Sequence, residues 1–77
     1  RAARVALNRD DLGSAIRLGE EIGDWWTVGL AAWRTGDYAR AFSAFERVAV
    51  DPTEDAWTRA GAAYWTARAA GQTGRQD

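Results

Sequence analysis

The sequence predicts an all-α fold: about five short antiparallel helices paired in the manner of an αα-solenoid. Three observations carry the prediction. Alanine, the strongest helix former, recurs throughout and the one proline is Pro52. Apolar residues recur at helical spacing, as in Trp26, Leu30 and Trp33. Glycine-aspartate pairs cut these runs at Gly23-Asp24 and Gly36-Asp37, where glycine accepts the left-handed end of one helix and aspartate caps the next.

Taken in order, the marks place helices over about residues 1–8, 11–22, 24–35, 37–49 and 53–70, within one superhelical segment spanning 1–77. Asp10-Asp11 plays the part of a glycine-aspartate pair for the second helix. The third is apolar on two sides: Trp26, Leu30 and Trp33 form one stripe, and Trp25, Gly29 and Ala32 form another about 100° round. Such a helix is expected to lie between two neighbours, with Gly29, Ala32 and Gly36 admitting close approach. In the fourth, Tyr38, Ala41, Phe45 and Val48 fall on one stripe. The fifth is expected to open at "DPTE", with Asp51 as cap, Pro52 in the first helical position and Glu54 reaching back to the cap. Helices this short are marginal alone in water, so each must bury a face against another.

Composition narrows the function. Ten arginines, no lysine and eleven carboxylates leave a formal net charge of −1. The arginines are scattered, from Arg1 and Arg4 to Arg75, with none of the clustering that counterion-release binding of nucleic acid requires, and no nucleic-acid partner is expected. No apolar run approaches the roughly 20 residues of a membrane span. Without cysteine or histidine, zinc ligation, thiol chemistry and a histidine-activated serine lack their residues. Asn8, Asp10 and Asp11 lack calcium-loop spacing and read as capping residues. The expectation is therefore of no catalytic, cofactor or metal residue in this chain. A first residue Arg1 in place of Met reads as a segment of a longer polypeptide.

The aromatic residues are the remaining candidates for contact. Trp25, Gly29, Trp33, Gly36, Tyr38, Ala41, Phe45 and Tyr64 read as repeat-packing residues. Trp57, Gly61 and Trp65 share a face at i, i+4 and i+8, with Arg68 close by and Tyr64 beside it. Trp26, Trp57, Trp65 and Arg68 are the candidate contacts for a glycan or partner, because indole faces stack on flat apolar surfaces.

The spacing of Trp25, Gly29, Gly36, Tyr38, Ala41 and Phe45 resembles the tetratricopeptide repeat, with Pro52 one position early and Val48 where that repeat usually has alanine. Over a longer stretch, "ALNRDDLGSAIRLG", "GLAAWRTGDYARAFSAFERVA" and "AAYWTARAAGQTGR", in that order, resemble the α-superhelical region of bacterial soluble lytic murein transglycosylases. The resemblance implies a periplasmic parent enzyme that cleaves peptidoglycan glycan strands to 1,6-anhydromuramyl products. This segment would then be a non-catalytic scaffold, its partners the rest of the parent chain or its catalytic domain, and peptidoglycan itself. In that family a glutamate followed by serine is the general acid and base. Glu20, Glu21, Glu46 and Glu54 are followed by other residues, so no catalytic role carries over. The alternative is a tetratricopeptide-type protein-interaction module with no enzymatic role. Exposed solenoid ends make self-association a further expectation.

Overall fold

The computed structural model describes residues 2–74. Arg1, the expected start of the first helix, and Arg75, the end of the third motif, lie outside the described residues. The chain forms α1 (Ala2–Asn8), α2 (Leu12–Ile22), α3 (Trp25–Thr35), α4 (Tyr38–Ala49) and α5 (Ala56–Gln72), with no strand among the described residues. Each helix packs on the next in sequence and α1 also reaches α3, which gives an all-α, antiparallel, repeat-like segment with Cα extents of 35 × 28 × 17 Å.

Three of the four turns are built alike. Asp10, Gly23 and Gly36 take φ of 58°, 75° and 82°, ending a helix in the left-handed region that favours glycine and tolerates aspartate. Asp11, Asp24 and Asp37 follow with φ/ψ of −84°/76°, −83°/74° and −85°/74°. Each donates its backbone N–H to a carbonyl five residues back, on Ala6, Gly19 and Ala32 (2.8, 2.9 and 2.9 Å). Each then accepts from the amide N–H three residues on, of Ser14, Thr27 and Arg40. One residue therefore closes the preceding helix and caps the next. The repetition has an interval of 13 residues, from 11 to 24 to 37.

The fourth connection departs from this plan and from the expectation. Asp51 does not cap α5. Its Oδ1 accepts from the Thr53 N–H (2.9 Å) and hydroxyl (2.7 Å), folding residues 51–53 into a local turn. Asp55 is the cap instead, accepting from the Thr58 N–H (2.7 Å) and hydroxyl (3.0 Å). The fifth helix accordingly starts at Ala56 rather than 53, and it continues to Gln72 rather than 70. Glu54 lies before the helix and forms no capping box.

Among the described residues, nine of the thirteen buried apolar ones are alanines, so the helices approach closely and one large side chain dominates the interior. That side chain is Phe45, which is fully buried. It fills the space that Gly29 leaves, since a Cβ at Gly29 would stand 2.7 Å from the Phe45 ring. Two apolar clusters share Ile16 and Leu30. One groups Ala6, Leu7, Ala15 and Ala31 under α1 and α2, and the other groups Ala32, Ala41, Phe45 and Ala69 between α3, α4 and α5.

Helix α3 is sandwiched as expected, but its stripes divide differently. Trp26, Gly29, Ala32 and Trp33 meet α4 through Phe45, Ala41 and Tyr38. Val28 and Ala31 meet α2, where Val28 lies over Gly19. Gly36 makes no close approach: nothing lies within 4 Å of the Cβ it lacks, and its contribution is its φ. Tyr64, expected among the packing residues, is 59% exposed on the outer side of α5.

Candidate binding cleft

The turns bring residues from four helices to one cleft of about 410 Å³. The α3 cap supplies Asp24, Trp25 and Trp26. The end of α4 supplies Arg47 and Val48, and the connection after it supplies Asp51 and Glu54. The first turns of α5 supply Trp57, Thr58 and Gly61, and Arg4 closes the rim from α1. The volume is within the range of sites for small ligands, which combine apolar walls with a few placed polar groups.

The indoles differ in exposure and in what holds them. Arg47 holds its guanidinium 4.3 Å from the centre of the Trp25 ring, a cation–π contact that leaves Trp25 as a wall between this cleft and a shallower one beside Glu20, Asp37 and Arg40. Trp26 is half-buried, edge-on to Phe45 with ring centres 5.5 Å apart, and its tip lies 3.7 Å from where a Gly61 Cβ would stand. Trp57 is 89% exposed and is the free platform of the three.

Asp51 is the acid of the cleft that its surroundings hold in the charged form. Hydrogen bonds from the Thr53 hydroxyl and N–H, with the nearby Arg59 charge, hold Asp51 below the ordinary carboxylate value. Just outside, the Thr58 N–H and hydroxyl do the same for Asp55. Donors that favour the charged form leave a carboxylate suited to accepting hydrogen bonds, and a proton donor near neutral pH needs the opposite shift. Among the described residues no group of three or more acids could hold a metal ion, and none of the helices is long and apolar enough to cross a membrane.

The expected contact set is divided between two places. Trp26 and Trp57 line the cleft. Trp65 does not: it turns inward, stacked on Phe45 at 5.8 Å and edge-on to Trp33 at 5.2 Å. Eight residues of helix advance about 80° beyond two full turns, which is enough to carry Trp65 from the cleft side to the α4 side. Arg68 stays with it, its guanidinium 5.1 Å from the rings of Trp33 and Trp65 and 5.8 Å from that of Tyr64. Sequence reasoning missed Arg4, Arg47, Asp51 and Glu54 as cleft residues. They come from separated elements with no shared spacing, and only the turn geometry assembles them.

No family model matches the chain, and no curated protein or solved structure matches it at a significant level.

Proposed function

We propose that the chain is a non-catalytic superhelical scaffold segment of a peptidoglycan lytic transglycosylase, working in the periplasm beside a catalytic domain. The observation that carries this reading is the cleft. Three indoles, one of them free, stand among charged acceptors and donors (Asp51, Glu54, Arg4). A sugar ring offers an apolar face to an indole and hydroxyls around its edge, so a glycan strand suits such walls. The order of the three sequence motifs supports the parent, and the helix-pair architecture supports the scaffold role. Cleavage of the strand to 1,6-anhydromuramyl products belongs, in this reading, to the parent's catalytic domain.

The test is a titration of the chain with soluble glycan-strand oligosaccharides of peptidoglycan, followed by tryptophan emission. A saturable shift is expected, and it is lost in Trp57→Ala while the far-UV spectrum is unchanged. No shift at millimolar oligosaccharide overturns the glycan role.

A second reading, a tetratricopeptide-type interaction module, is favoured by the exposed aromatic residues on α5, Trp57 and Tyr64. Binding of a polypeptide without any binding of glycan would decide for it.

A further inference from the structure

Helices α3 and α5 open with one device. Asp24 accepts from the N–H and hydroxyl of Thr27, and Asp55 accepts from the N–H and hydroxyl of Thr58. Counted from these caps, the two helices use their sides alike. Val28 and Ala31, which meet the preceding helix α2, correspond to Arg59 and the fully buried Ala62 on α5, whose preceding helix is α4. Trp26, Gly29, Ala32 and Trp33, which the following helix α4 covers, correspond to Trp57, Ala60, Ala63 and Tyr64. All four of the latter are exposed.

The face that holds a helix on α3 is therefore bare on α5, with the same layout of small residues between two aromatic ones. We infer that this α5 face is a docking surface for one amphipathic helix of a partner polypeptide, with the pattern that α4 already presents to α3. The structure supplies the chemistry of that helix. An aromatic residue in its first turn lies on Tyr64, as Tyr38 lies on Trp33 with ring centres 5.0 Å apart. A small residue follows three positions on, as Ala41 does. The position of Phe45 takes an aliphatic side chain, because Ala60 carries the methyl that Gly29 lacks, and at Gly29 that methyl would lie 2.7 Å from the ring. Arg68 occupies the place, counted from the cap, at which Asp37 precedes α4. An acidic residue at the start of the partner helix meets that guanidinium and offsets its approach to the helix N-terminus. This inference does not rest on the glycan reading: its face borders the cleft at Trp57, but Ala60, Ala63 and Tyr64 lie outside the cleft lining.

The probe is a labelled peptide of residues 37–50 carrying Phe45→Leu, titrated with the 77-residue chain and followed by fluorescence anisotropy. Saturable one-to-one binding is expected, weakened at least tenfold by Ala60→Glu and by Tyr64→Ala, and weakened also by Arg68→Glu. Both Ala60 and Tyr64 are exposed, so circular dichroism should show the helices intact in these variants. Absence of saturation at millimolar peptide overturns the inference. So does binding indifferent to Ala60→Glu, which means that the peptide has displaced α4. A chain that dimerises alone and becomes monomeric with Ala60→Glu overturns it too, since a second copy would then be the occupant.

Discussion

Gly29 and Gly61 are both glycines in helix interiors, and their surroundings give them opposite expected responses to a methyl group. Alanine is worth up to about 1 kcal/mol over glycine inside a helix. At Gly61 the new methyl meets only the tip of Trp26 at an ordinary 3.7 Å, so Gly61→Ala should raise stability by roughly 0.5–1 kcal/mol. At Gly29 three ring atoms of Phe45 stand within 2.8 Å of the new methyl, and overpacking costs about 1–3 kcal/mol. Gly29→Ala should lower the urea midpoint despite its better helix propensity. Equal shifts of one sign in both variants would refute the Phe45 contact. Among the described residues Phe45 is the largest side chain fully enclosed. Phe45→Ala should cost about 3–5 kcal/mol, against a total of roughly 4–12 kcal/mol for a chain of this size. A loss of cooperative unfolding followed by tryptophan emission is the expected result.

The caps set the behaviour of whole elements. Asp24 serves both the amide and the fully buried hydroxyl of Thr27, whereas Asp11 serves only the exposed Ser14 amide. Asp24→Ala should therefore cost about 1–2 kcal/mol and Asp11→Ala nearer 0.5 kcal/mol, measured by thermal unfolding. Asp55 makes α5 sensitive to acid. Its folded value lies below 3.8 because the charged form accepts the Thr58 bonds. The unfolded chain therefore takes up the proton first, and the stability present above the ordinary carboxylate range is lost as pH falls through the lower, folded value. Asparagine caps without titrating, so Asp55→Asn should keep more of its helical signal than the parent as pH falls below about 4. Identical acid curves would remove Asp55 as a contributor.

These elements also mark how far the sequence can be read. Gly23-Asp24 and Gly36-Asp37 announce their turns because one residue must have positive φ and the next must supply an acceptor. Asp10 could be matched to Gly36 by position. The start of α5 could not be placed, since Asp51 and Asp55 both precede helical sequence. What decides between them is Thr53, which engages Asp51 in a turn of its own. Nor could periodicity orient α5, a helix with apolar residues on every side, so Tyr64 and Trp65 exchange the positions expected for them: one exposed, one packed inward on Phe45. The cleft was legible at Trp26 and Trp57 alone.

At the scale of the molecule, most contacts run from each helix to its successor, with α1 on α3 and Trp65 on Trp33 reaching across one helix, so stability is largely a chain of nearest-neighbour terms. The surface ion pairs, such as Arg17 with Glu21 and Arg34 with Asp10, are exposed and add little. Because most of these contacts are local in sequence, the main refolding phase should finish within milliseconds, leaving only a minor slow phase from molecules that unfold to cis Asp51-Pro52. A main phase of seconds in stopped-flow tryptophan emission would contradict that picture.

The three matching turns have a further consequence. A turn that repeats its dihedral angles every 13 residues acts as a fixed joint, and helices between such joints behave as interchangeable tiles. Successive tiles point in opposite directions, so the unit that restores both direction and facing is a pair of tiles, 26 residues long. A chain lengthened by one such pair at Asp37 keeps every downstream contact in place. Lengthened by a single residue within a helix, it turns all that follows by about 100° and brings the polar side of the next tile against the core.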